Sequence, residues 1–145
     1  MFDNPAKPEI EAFLRRIRTV AVLGLSSTPG RPSYHVAEEL QKFGYRIVPV
    51  NPAAQEILGE KSWPFLEAAM NGAGPIDVVD VFRKPEHVPA IVDEAIRLKV
   101  PALWLQEGVI DEVAAHRARD AFSEGGFSNT WGPNKAENRP FHFAF

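Results

Sequence analysis

Four short apolar runs, separated by stretches with helical periodicity, predict an α/β chain built on a parallel sheet. The runs are Thr19–Leu25, Tyr45–Val50, Ile76–Phe82 and Ala102–Leu105. They are mainly continuous rather than alternating, which marks strands covered on both faces. Between them, apolar residues recur three and four positions apart. Each run also ends in turn-forming or polar residues, at Gly24, Asn51-Pro52, Phe82-Arg83 and Gln106-Glu107-Gly108.

Ile10, Phe13, Leu14 and Ile17 predict a leading helix over residues 7–17. The first strand follows. Pro32 suits the first turn of the next helix. Val36, Leu40 and Phe43 give that helix an apolar face, and Gly44 stops it. Strand two ends at Asn51-Pro52. Residues 53–74 read as irregular, with a short helix near 64–70. Strand three spans Ile76–Phe82. Residues 85–98 read as a helix with Val88, Ile91, Val92, Ala95 and Ile96 facing inward, and Pro89 falls early enough in it to be tolerated. Strand four follows, and Asp111 caps a last helix running to Phe122.

The 145 residues are about one domain's worth. An apolar share of 45% and a charged share of 24% are ordinary for a globular protein. The net charge of -3 gives no global basic field for nucleic acid. There are no cysteines, which rules out disulfides, thiolate metal sites and a cysteine nucleophile. The N-terminus has no signal-peptide pattern, and no run approaches the roughly 20 apolar residues of a membrane span. A cytoplasmic protein is the expectation.

Strands alternating with helices imply right-handed βαβ units. Ligands of such sheets sit beyond the carboxyl ends of the strands. In the first loop Gly24 permits a sharp exit from the strand, and Ser26, Ser27, Thr28 and Ser33 offer hydroxyls. Arg31 offers a planar guanidinium suited to phosphate. The helix start at Pro32-Ser33 adds unpaired backbone N–H groups. An anion cradle and a plain polar βα turn account for this loop equally well. Asn51 can bond a base or phosphate, or simply make an Asn-Pro turn. Phe82 can stack on an adenine and Arg83 can meet a phosphate, although the pair alone reads as a core Phe and a solvated Arg.

Several chemistries find no support. After Gly24 the next glycine is Gly30, so G-x-G-x-x-G is absent, and strand two ends in Asn51 instead of an acid. No G-x-x-x-x-G-K-[ST] or G-x-S-x-G occurs. Asp77 and Asp80 lie three apart in a strand pattern and point to opposite faces, so they form no dyad. Asp77 is expected at the strand's start. His35, His87, His116 and His142 show no metal-ligand spacing, and His35 reads as an exposed helical residue.

The runs Val20–Ser27, Arg31–Tyr34, Gly44–Pro52, Asp77–Arg83 and Leu103–Val109 resemble the small bacterial and archaeal CoA-binding domain proteins of the YccU-like group. That group is similar to the CoA-binding domain of the succinyl-CoA synthetase α-subunit. The resemblance covers residues 10–122. It implies a Rossmann-like, doubly wound, mainly parallel sheet of about five strands. It also implies coenzyme A or an acyl-CoA as ligand, held by Gly24, Ser26, Ser27, Arg31, Pro32, Ser33, Asn51, Pro52, Phe82, Arg83, Gln106 and Gly108. The first loop would take the pyrophosphate, and the residues after strands two and three the adenosine end. Past residue 122 the chain departs from the family. A Val-rich fifth strand and an Asp-Arg-Cys stretch give way to Gly125–Pro133 and a tail ending Phe141-His142-Phe143-Ala144-Phe145, so the fifth strand is left open.

The resulting expectation is a CoA-binding module with no catalysis of its own, monomeric or weakly self-associating. Two alternatives stand beside it. One is a subunit working with a separate acyl-CoA ligase, whose nucleotide-grasp domain and phosphorylated histidine this chain is not expected to hold. The other is an NAD-type enzyme, against which the missing glycine fingerprint counts.

Overall fold

A computed structural model of the chain describes residues 6–105, Val113, His116, Arg117, Asp120 and 142–144. The chain divides into two compact units, Ile17–Phe82 and the paired segments Met1–Arg16 and Arg83–Phe145.

In the first unit, strand β1 (Thr19–Leu23) is central. It pairs in parallel with β2 (Arg46–Val50) on one side and with β5 (Val78–Val81) on the other. Val20, Ala21 and Val22 are sealed from solvent, as are Val78, Val79 and Val81, which matches the continuous apolarity of both runs. Asp77 fixes where β1 begins. Its Oδ2 accepts the N–H groups of Arg18 at 2.8 Å and Thr19 at 2.9 Å. The aspartate stands one residue before β5, at the strand's start as expected.

Helix α2 (Pro32–Lys42) links β1 to β2, with proline in its first turn. Its buried face differs from the expected one. Ser33 and Ala37 are the buried positions, Val36 and Leu40 are half-buried, and Phe43 is 78% exposed. Small residues four apart let the helix lie close to its neighbours. Phe43 is the C-cap, beyond the last turn and off that stripe.

Residues 53–74 are more ordered than their sequence suggests. Strands β3 (Glu56–Ile57) and β4 (Glu60–Lys61) form a hairpin. Its two turn residues, Leu58 and Gly59, have φ of 53° and 78°, the signs of a type I′ turn. Trp63 then bridges in parallel to Val50, extending the edge of β2. Helix α3 (Leu66–Gly72) follows, close to the expected 64–70, and buries Leu66 and Ala69.

In the second unit, α1 (Lys7–Arg16) buries Ile10 and Phe13. A 3-10 turn at Pro85–His87 runs into α4 (Val88–Leu98), which buries Val88, Ile91, Val92 and Ala95. Ile96, expected inward, is half-buried. Strand β6 (Leu103–Leu105) pairs antiparallel with β7 (His142–Ala144), so the tail supplies a strand where the sequence left one open. Val113, His116, Arg117 and Asp120 are helical, within the expected last helix. Arg117 meets the Asp93 carboxylate at 3.0 Å and donates to the Pro89 carbonyl at 2.9 Å. The expected cap, Asp111, lies outside the described residues. Among the described residues no helix is long and apolar enough to cross a membrane.

Candidate functional site

The first and second parallel strands, β1 and β2, are neighbours, and the third, β5, lies on the other side of β1. The chain direction across the sheet therefore reverses between β1 and β5, and the crevice above that point is where such sheets bind ligands. Two chain segments flank it. One is the loop leaving β1, residues 24–31. The other is Phe82, whose N–H donates to Leu23 O at 2.8 Å and so lies beside that loop's first residue. Phe82 is half-buried.

The loop is built by local chemistry. Gly24 has φ of 85°, turning the chain sharply off the strand, while its N–H donates to Val50 O at 3.0 Å. Leu25 is fully buried and anchors the loop. Ser26 Oγ accepts the Thr28 N–H at 3.0 Å, a local serine turn. Thr28-Pro29-Gly30-Arg31 closes a second turn, with Arg31 N–H on Thr28 O at 3.3 Å and Gly30 at φ 92°. Proline then a left-handed glycine is the type II signature. Finally Ser33 Oγ, from inside α2, accepts the Ser26 N–H at 3.0 Å. This clasp ties the loop's start to the helix that ends it.

The helix end carries the anion-binding potential. Arg31 is the N-cap residue, in extended conformation, and no side chain caps α2. Pro32 has no N–H, and His35 N–H takes Arg31 O at 3.0 Å. The first-turn N–H groups of Ser33 and Tyr34 have no acceptor within the helix. They add to the positive end of the helix dipole. Ser27, in the loop, and Arg31, at the N-cap, are both exposed. This arrangement can hold a phosphate or pyrophosphate through backbone N–H groups, a hydroxyl and a guanidinium.

Asn51 makes the turn that its sequence offers as one of two readings. Its Nδ2 donates to Leu25 O at 2.9 Å and its Oδ1 accepts the Ala53 N–H at 2.8 Å. Pro52 is exposed on the resulting turn. Arg83 directly follows Phe82 and is exposed. Gln106 and Gly108 lie outside the described residues. The structure therefore brings together Gly24, Ser26, Ser27, Arg31, Pro32, Ser33 and Asn51, with Phe82 alongside. The hairpin that abuts Asn51 was missed in the sequence, where its only signal is Gly59 between two-residue strands.

On the outer face of α2, His35, Glu38 and Glu39 place their ligating atoms within 4.8 Å of one another. Lys42 reaches Glu39 at 3.1 Å and Glu38 at 3.9 Å. The hydrogen bond to Glu39, then the two carboxylate charges, raises the Lys42 pKa above its ordinary value. The carboxylates are thus already paired with a cation.

The model of a family described as CoA binding domain matches residues 18–125. The uncharacterized protein YneT of Bacillus subtilis is 41% identical over 112 residues, 77% of this chain and 81% of YneT. A solved structure from Thermus thermophilus, cell-free ID.343, matches with a TM-score of 0.71 at 33% identity, over 84% of this chain and 87% of that one. An ADP-forming acetate–CoA ligase of Methanocaldococcus jannaschii is 24% identical over 107 residues, 74% of this chain and 15% of the ligase.

Proposed function

This chain belongs to the CoA-binding domain family, and from that premise we propose that it binds coenzyme A or an acyl-CoA through the loop between β1 and α2. The observation that carries the proposal is the uncapped start of α2, with Arg31 at the N-cap and the loop clasped to it by Ser33. The pyrophosphate of CoA lies against the N–H groups of Ser33 and Tyr34, with Arg31 and Ser27 as side-chain partners. The adenosine end runs toward Phe82, whose ring offers a stacking face.

The chain acts as a binding module without catalysis of its own. The hydroxyls of Ser26, in the loop, and Ser33, in α2, accept hydrogen bonds from the loop's backbone. They serve loop shape rather than nucleophilic attack. Calorimetric titration with CoA beside NAD tests the proposal. Saturable binding of CoA, with NAD much weaker, is expected. No heat at millimolar CoA, or tighter binding of NAD, overturns it.

The likeness to a stretch of an acetate–CoA ligase favours one second reading, in which this chain works with a separate ligase subunit. Pull-down of such a subunit and an acyl-CoA synthesis assay on the pair distinguish it from a free-standing module.

A further inference from the structure

Asn51 spends nearly all of its hydrogen-bonding capacity inside the protein. Its N–H donates to Trp63 O at 2.9 Å, and its carbonyl accepts the Ser62 hydroxyl at 3.0 Å. The amide side chain holds Leu25 O and Ala53 N–H. One N–H of the side-chain amide is all that remains of its donors. A residue so occupied has little to offer a ligand. It does, however, join the phosphate-side loop to the hairpin segment that follows β2.

That segment is itself held from several sides. Trp63 N–H donates to Pro49 O and Ser62 N–H to Gln55 O, each at 2.9 Å. Ser62 is buried. The Gln41 amide donates to Leu58 O at 3.1 Å, tying the hairpin turn to α2. The Trp63 ring is seated against Gly72 at the end of α3, where any Cβ would overlap its Cη2 and Cζ3 atoms. Lys61 covers the ring, with Nζ 4.2 Å from its centroid. Residues 55–63 therefore form a buttress against the end of β2.

We infer that Asn51 is a positioning residue, not a ligand contact, and that the Gln55–Trp63 buttress sets the phosphate-side loop through it. The relay runs from Trp63 and Ser62 to the Asn51 backbone, then from the Asn51 side chain to the carbonyl of Leu25. Leu25 directly precedes Ser26, whose N–H is the one clasped by Ser33. This places loop order under the control of the segment that follows β2. It rests on the proposed ligand site only for its effect on affinity.

The test is hydrogen exchange on the ligand-free full chain, read at the Ser26 and Ala53 N–H groups, together with CoA titration. Asn51→Ala is expected to lower protection of both about tenfold and to weaken CoA in proportion. Asn51→Asp keeps an acceptor for Ala53 but sets a carboxylate against Leu25 O. It is expected to spare Ala53 and to expose Ser26. Ser62→Ala, which removes only the donor to the Asn51 carbonyl, guards against an Asn51 variant that fails to fold, and is expected to raise exchange at Ser26 more weakly. Unchanged protection at Ser26 in these variants overturns the inference. If CoA affinity nevertheless falls in the Asn51 variants, Asn51 is a direct contact. If the wild type binds no CoA, the proposed function fails, while the exchange results still decide the buttress.

Discussion

Replacing Ser33 with alanine removes one oxygen from a buried position, and that oxygen accepts the N–H of Ser26 at 3.0 Å. Two effects oppose each other. Alanine is the better helix former, by about 0.5 kcal/mol over serine. Against it stand the lost hydrogen bond, worth roughly 1 kcal/mol, and a part-buried Ser26 N–H left without its acceptor, costing roughly 1–3 kcal/mol more. The Ser26 N–H lies in a loop that water can reach once the clasp opens, so the lower end applies. The net loss of stability is about 1.5 kcal/mol. Binding suffers separately, because a loop no longer held shut must be ordered by the ligand. A cost of about 1.4 kcal/mol there is a tenfold weaker Kd. Urea unfolding and CoA titration of Ser33→Ala read the two terms. A variant that gains stability and binds CoA unchanged would refute the reasoning, since helix propensity alone would then account for it.

Substitutions at three further positions test separate parts of the structure. Arg31→Ala removes an exposed guanidinium at the helix start, so unfolding should be unchanged. CoA binding should weaken by about 1.5–3 kcal/mol, with a shallower salt dependence. Asp77→Ala deprives the Arg18 and Thr19 N–H groups of their shared acceptor. A loss of roughly 2–4 kcal/mol in urea unfolding is expected, because Thr19 is buried and cannot recruit water easily. Asp77→Asn, which keeps an oxygen acceptor, should recover much of it. Gly72→Ala sets a methyl group into the Trp63 ring. Overpacking should destabilise the chain by about 1–3 kcal/mol and shift the tryptophan fluorescence, despite the better helix propensity of alanine.

The strands β1, β2 and β5 and the helices α1, α2 and α4 were readable because burial on two faces, or on one stripe, writes itself into residue type. The turn at Thr28-Pro29-Gly30-Arg31 is equally local, since proline and a left-handed glycine dictate it. The β3–β4 hairpin was not readable. Its strands are two residues long, and Leu58, a residue type that does not announce positive φ, adopts φ of 53° in its turn. Phe43 misled for the opposite reason. An apolar residue at helical spacing suggested an inward face, yet the small Ser33 and Ala37 carry the contact. Asn51 illustrates the limit for function. Its position after strand two marks it out in the sequence, but its partners, Leu25, Ser62 and Trp63, are separated from it by up to 26 residues in sequence, and no local pattern announces them. The proposal of CoA as ligand rests on family membership, since the strand-end geometry alone points no further than a phosphate-bearing anion.

The central claim is that the start of α2, together with the loop before it, holds CoA. Amide chemical shifts recorded during CoA titration of the full chain test it most directly. The account predicts saturable shifts concentrated at Ser26–Tyr34 and at Phe82, with the Arg18, Thr19 and Asp77 amides at the opposite end of the strands unmoved. Shifts confined to other residues, or none at millimolar CoA, would contradict it.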